Sequence, residues 1–131
     1  MKRVRVTHLI GALLVPLVLA ACATPLPTVG AVGAVSGTVL SAPRCPGPEI
    51  SSSPCPPGPV DGATVTAVRD GRTVATTRTD ARGGFRLTLP AGRYVLEATN
   101  PGGYRSKAAD TVTVIASQPL TVTLLLDTGI R

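Results

Sequence analysis

The feature that most constrains this chain is a two-residue alternation of apolar and polar side chains, repeated along most of its length. Val35, Gly37 and Val39 alternate with Ser36, Thr38 and Leu40. Ala63, Val65 and Ala67 alternate with Thr64 and Thr66, and Phe85, Leu87 and Leu89 with Arg86 and Thr88. Tyr94, Leu96 and Ala98 alternate with Arg93, Val95 and Glu97, and Val122, Leu124 and Leu126 with Thr121, Thr123 and Leu125. Val74 to Thr79 is a weaker, threonine-rich segment, and Val112 and Val114 sit between threonines. Successive strand side chains point to opposite faces, so each segment presents one apolar face. Breaks fall at Asp70-Gly71, Gly83-Gly84, Pro90-Ala91-Gly92, Asn100-Pro101-Gly102-Gly103 and Gln118-Pro119, residue types that favour turns. Strands with a single apolar face need a second sheet to cover it. The pattern therefore predicts an all-β, seven-stranded antiparallel sandwich over residues 32–131.

The core of such a sandwich is aliphatic. Phe85, Tyr94 and Tyr104 are the only aromatic residues, and there is no tryptophan. Val, Leu, Ile and Ala bury less area per side chain than aromatics do, so a covalent restraint would add usefully to stability.

The amino terminus follows different rules. A positive start, Lys2-Arg3-Val4-Arg5, leads into an apolar run from Leu9 to Ala21 interrupted by Pro16. That run is shorter than the about 20 residues a membrane span needs. It has the layout of a cleaved, helical signal peptide over residues 1–21. The run ends Leu19-Ala20-Ala21-Cys22: a branched residue, two small residues and a cysteine. This resembles the lipobox of bacterial lipoproteins. The resemblance implies cleavage between Ala21 and Cys22, a diacylglyceryl group on the Cys22 thiol, and a further acyl chain such as palmitate on the new amino terminus. Two or more acyl chains make a stable anchor where one does not. Ala21-Cys22-Ala23 also fits an ordinary small-x-small signal site cut after Ala23, so both cleavage readings stand. Residues 22–31, with Pro25 and Pro27, read as a flexible tether. The expected location is outside the cytoplasm, on a membrane.

Lipidation of Cys22 would leave Cys45 and Cys55 as a pair in an oxidising compartment. Their disulfide would close a proline-rich loop within residues 44–58, and the chain-entropy model gives such a ten-residue closure about 2.5–3 kcal/mol. A zinc site lacks ligands, because the sole histidine, His8, leaves with the leader. The spacing is also far from the Cys-x-x-Cys of redox pairs. No metal and no cofactor is expected.

Charge excludes another class. The full chain carries +6, but Lys2, Arg3 and Arg5 belong to the leader, and ten cations then face seven acids. The cations are dispersed and lack interleaved aromatics, which argues against nucleic-acid binding. Catalysis is poorly supplied. Without histidine beyond the leader there is no Ser–His–Asp arrangement and no base for a cysteine nucleophile. The carboxylates (Glu49, Asp61, Asp70, Asp80, Glu97, Asp110 and Asp127) fall mostly beside turns, where aspartate is a structural choice. Tyr104, after Gly102-Gly103, is either a residue covering one end of the sandwich or the single aromatic open to a glycan.

Three stretches resemble a known family. Pro59-Val60-Asp61-Gly62-Ala63-Thr64-Val65, Thr79-Asp80-Ala81-Arg82-Gly83-Gly84-Phe85 and Leu89-Pro90-Ala91-Gly92-Arg93-Tyr94 are similar to motifs of the carboxypeptidase regulatory-like domains, which have a transthyretin-like (prealbumin-like) sandwich. The resemblance implies that Asp80, Gly83 and Gly92 shape turns and that Phe85 and Tyr94 anchor the core. Thr79 is expected to cap its turn together with Asp80. The Cys45–Cys55 segment departs from the family's short first connection. Two relatives of the fold are set aside on residues. A hydroxyisourate hydrolase uses histidines and a Tyr-Arg-Gly-Ser tail, whereas Tyr104-Arg105-Ser106 is internal and lacks the glycine. An isopeptide-forming adhesin domain needs a lysine on the first strand, whereas Lys107 is expected in a loop, and Glu97 is offset by one residue. In a strand that offset turns the side chain to the other face. The expectation is a non-catalytic, lipid-anchored envelope module that binds an envelope protein or wall polymer, or acts structurally. The alternative is a lipoprotein that binds a small ligand or glycan through the Cys45–Cys55 loop.

Overall fold

The computed structural model describes residues 30–47 and 55–130. The expected signal peptide, the expected Ala21–Cys22 cleavage site, most of the expected tether and the middle of the proline-rich loop lie outside these described residues. Eight strands follow in order: β1 Val32–Ala42, β2 Gly58–Pro59, β3 Thr64–Arg69, β4 Arg72–Arg78, β5 Gly84–Pro90, β6 Gly92–Thr99, β7 Lys107–Val114 and β8 Leu120–Asp127. Each of the seven expected strands is present, and the two-residue β2 is added to them. Residues of a proline-rich segment gave no alternation from which β2 could be read. No helix occurs among the described residues.

The strands form two sheets. In the second sheet the order is β4-β3-β6-β7, antiparallel throughout. In the first, β1 is central. Val35 to Thr38 pair with β5 and also with β8, so those two strands occupy opposite edges of β1. Leu40 and Ser41 pair with both β2 and β8, which puts β2 on the β5 edge, beyond the end of β5. Most pairs are antiparallel, as expected of strands with one apolar face, but β1 and β8 run parallel over Val35–Ala42 and Leu120–Asp127. The cause is connectivity: β7 lies in the second sheet, so the turn from β7 to β8 crosses between sheets rather than along one.

The alternation decides what is buried. Val35, Val39, Val65, Leu89, Tyr94, Leu96, Val114 and Leu126 are almost wholly enclosed between the sheets. Phe85 pairs with Gly37, and a Cβ on Gly37 would lie 2.6 Å from the Phe85 ring. The strand glycine makes room for one of the few large rings of an aliphatic core. Tyr94 directs its hydroxyl out of the core and donates to Pro90 O at 2.8 Å, while the Arg69 guanidinium lies over its ring at 5.7 Å. The weak alternation of β4 also has a cause. Register shifts at Ala67/Val68, which pair with Ala75 and Thr73, so Val74 is skipped and left exposed.

Strand direction gives the sandwich two distinct ends. β1 has 11 residues, about 35 Å of extended chain. At its start, the near end, Ala91 N donates to Ala31 O and Ser117 N to Val32 O. At its finish, the far end, β1 meets β2 and the carboxyl end of β8.

Candidate binding end

The residues expected to shape turns and core occupy the body of the domain. Asp80 Oδ1 accepts from Arg82 N at 2.8 Å and from Gly84 N at 2.9 Å. The amide of Gly84, then that of Arg82, holds its carboxyl below the ordinary value of 3.8, because both bonds favour the charged form. Gly83 adopts φ 74°, which favours glycine, and its carbonyl accepts from Val39 N, so the turn is sewn to β1. Gly92 has φ 151° at the start of β6. Thr79 plays a part different from the one expected. It does not cap the Asp80 turn. Its buried hydroxyl donates to Val60 O at 2.6 Å and accepts from Ala63 N at 2.8 Å, pinning the segment that leads from β2 into β3.

The far end gathers what the body does not use. Cys45 and Cys55 are joined by a disulfide with S–S 2.11 Å and Cα–Cα 6.0 Å. Cys55 is buried and Cys45 exposed. Beside them the Arg44 guanidinium lies over Gly58, and Thr128 is tied to the same segment. Its Oγ1 donates to Pro43 O and its amide to Ala42 O.

The β6–β7 loop, residues 100–106, stands against this cluster and is organised by one side chain. Asn100 Nδ2 donates to Gly102 O at 2.6 Å and to Tyr104 O, and Asn100 Oδ1 accepts from Ser106 N at 3.0 Å. The Asn-Pro-Gly-Gly signal announced a turn. It did not announce that the asparagine would bond across the whole loop. Tyr104 leaves that loop 60% exposed. One face of its ring rests on the backbone of Gly129, where a Cβ would lie 2.9 Å from the ring carbons. Both readings of Tyr104 keep a part: the ring packs on Gly129 at this end of the sandwich, and the residue remains open to solvent.

Between the loop and the ends of β1 and β8 lies a cleft of about 260 Å³ lined by Ser41, Val60, Pro101, Tyr104, Ser106 and Thr128, with Leu126 and Asp127 beyond. On the other side of the loop a recess of about 540 Å³ is lined by Thr99, Arg105 and Lys107 among others. Lys107 opens β7 rather than lying in a loop. Its Nζ is 2.7 Å from Glu97 Oε1 on the neighbouring strand, with both groups reaching solvent. This pair is a cross-strand contact of modest worth. A third, open groove of about 490 Å³ at the β4–β5 side is bordered by Ser36, Thr38, Arg78, Asp80 and Arg86. Among the described residues no three His, Cys, Asp or Glu side chains come together as a metal site, and no helix is long and apolar enough to cross a membrane.

Comparison with known proteins bears on the fold. Residues 57–127, more than half of the chain, match the family described as Carboxypeptidase regulatory-like domain. No curated protein matches the sequence. Among solved structures, the TIE protein of Bacillus anthracis is similar at 19% identity and TM-score 0.52, over 74% of this chain and 16% of that one. A minor pilin of the gram-positive pathogen Streptococcus agalactiae is similar at 17% identity and TM-score 0.51, over 75% of this chain and 45% of that one. The 5-hydroxyisourate hydrolase of Klebsiella pneumoniae gives 25% identity and TM-score 0.49, over 74% and 91%. The chain thus spans well under two thirds of the first two structures, which share its sandwich fold.

Proposed function

The chain belongs to the carboxypeptidase regulatory-like domain family, and from that premise we propose that it is a non-catalytic module of the cell envelope. Lipid on Cys22 holds it on a membrane, and its far end meets an envelope protein or wall polymer. The observation that carries this reading is the polarity of the sandwich. The chain from Cys22 enters at the near end of β1, while the disulfide and the Tyr104 loop sit together at the far end. Residues 23–31 extend to about 30 Å at most, so the near end stays within that reach of the bilayer, and the far end lies the length of β1 beyond it. Loops on a rigid sandwich commonly carry recognition.

The non-catalytic part rests on residue supply. No histidine follows Cys22, so the side chain best suited to serve as a general base near neutrality is missing. Tyr104-Arg105-Ser106, the one stretch reminiscent of a hydroxyisourate hydrolase, lies in the β6–β7 loop. Its serine amide is bonded to Asn100. The second reading, a lipoprotein that binds a small ligand or glycan, draws on the open Tyr104 ring and moves the contact from the Cys45–Cys55 loop to the cleft beside it.

Mass spectrometry of protein extracted from membranes tests the anchor. The expected product begins at Cys22 and carries the diacylglyceryl and acyl mass, and a Cys22→Ser variant loses the membrane fraction. An unlipidated amino terminus at Thr24 refutes the anchor and selects ordinary signal cleavage.

A further inference from the structure

We propose that the cleft beside Tyr104 binds one sugar ring of an uncharged glycan. The inference rests on the reading of the far end as the binding end and names its ligand class. A pyranose offers an apolar face of C–H groups and a rim of hydroxyls. The cleft offers the counterparts. Tyr104, with Pro101 and Val60, forms an apolar wall, and Ser106, Ser41 and Thr128 line the rest. The Ser41 and Thr128 hydroxyls donate to Gly58 O and Pro43 O, which leaves their oxygens to accept from sugar hydroxyls. No cation lines this cleft, and its one carboxylate, Asp127, accepts from Gly129 N. A phosphate or carboxylate ligand would therefore find no counter-charge. A neutral polyol needs none.

Size points the same way. About 260 Å³ lies below the 300–1,000 Å³ typical of sites for drug-sized molecules and suits a single ring with the rest of the chain in solvent. The wall is also preformed. Asn100 bonds to three points of the loop, and the Gly129 backbone lies against the Tyr104 ring. A rigid aromatic loses little conformational freedom when a ligand stacks on it.

The test uses the full chain in a zwitterionic detergent without sugar headgroups. It is titrated with trisaccharides of glucose and of N-acetylglucosamine and followed by amide shifts of residues 100–106 and 127–129. The expected result is saturable binding with Kd about 1 mM. Tyr104→Ala should weaken it roughly tenfold, and Tyr104→Phe should stay within about twofold. Tyr104 is mostly exposed, so its truncation leaves the core intact, and unchanged shifts elsewhere in the domain confirm that. No shift with either trisaccharide, equal binding by the alanine variant, or binding of a proline-rich peptide in place of sugar overturns the proposal. Recovery of an envelope partner by a chain that binds neither sugar overturns it too, while leaving the far-end reading intact.

Discussion

Replacing Thr79 by valine should destabilise the domain by about 2–3 kcal/mol, and the figure follows from two bonds. The Thr79 hydroxyl is the polar partner of Ala63 N, which is fully buried, and of Val60 O, which is partly buried. Valine keeps the shape of the side chain, so no cavity term arises. What changes is that a buried N–H loses its acceptor, at about 1–3 kcal/mol, and a half-buried carbonyl loses a donor, at about 1 kcal/mol or less because water can reach it. Removing the hydroxyl's own desolvation offsets a part of the sum. Thr79→Ser keeps both bonds and gives up one methyl, about 1 kcal/mol. The assay is urea denaturation followed by far-ultraviolet circular dichroism, with the disulfide kept oxidised so that the transition is two-state. The predicted order is wild type, then serine, then valine. In a domain of this size each kcal/mol moves Tm by about 4–8 °C, so valine should melt about 10–20 °C early. If valine is as stable as serine, the hydroxyl does not pin the β2–β3 segment. Val60 also lines the Tyr104 cleft, so the valine variant should weaken any ligand bound there, and the serine variant should not.

Three further outcomes follow. Replacing both Cys45 and Cys55 by serine opens a closure of separation 10 and should cost about 2.7 kcal/mol on the chain-entropy model, read as a lowered urea midpoint that reductant reproduces in the wild type. The Asp80 carboxyl has a folded pKa depressed below 3.8. Its stabilising contribution is therefore complete above about pH 4 and lost as pH falls through the folded pKa. Asp80→Asn should lower stability by a pH-independent amount above about pH 4 and flatten the acid limb of a stability–pH curve, so that the variant and wild-type curves converge at low pH. Gly37→Ala places a Cβ against Val122 O and the Phe85 ring. The overpacking should cost about 1–3 kcal/mol, measured by thermal melting, and Phe85→Leu in the same chain should recover part of it.

The period of the sequence and the supply of apolar side chains made the sandwich legible. Val65, Leu89, Leu96 and Leu126, each an apolar member of an alternating run, are all in the core. Setting Cys22 aside left two cysteines, and that made the disulfide legible. What the sequence withheld belongs to tertiary pairing. Thr79 belongs to a motif around Asp80, and nothing local says that its hydroxyl turns away to the β2–β3 segment. Gly129 follows an aspartate and a threonine near the end of the chain, and only the folded structure brings it under Tyr104, 25 residues earlier in the sequence. Lys107 follows a Gly-rich loop. Its place on β7 depends on pairing with Thr99 across the loop.

Strand direction was the least legible property and has the largest consequence. An alternation of period two reads the same in either direction, so Leu120–Asp127 could have paired antiparallel to β1 as the other strands do. Had it done so, the carboxyl end of β8 would lie at the near end, and Gly129 could not support Tyr104. The parallel ladder from Val35↔Leu120 to Ala42↔Asp127 carries residues 127–129 to the same end as the disulfide and the β6–β7 loop. There Thr128 bonds to Ala42 and Pro43, and Gly129 seats the ring. One crossing between sheets therefore does two things. It brings three remote segments together into a cleft, and it sets that cleft at the opposite end of β1 from Val32, where the chain enters the sandwich.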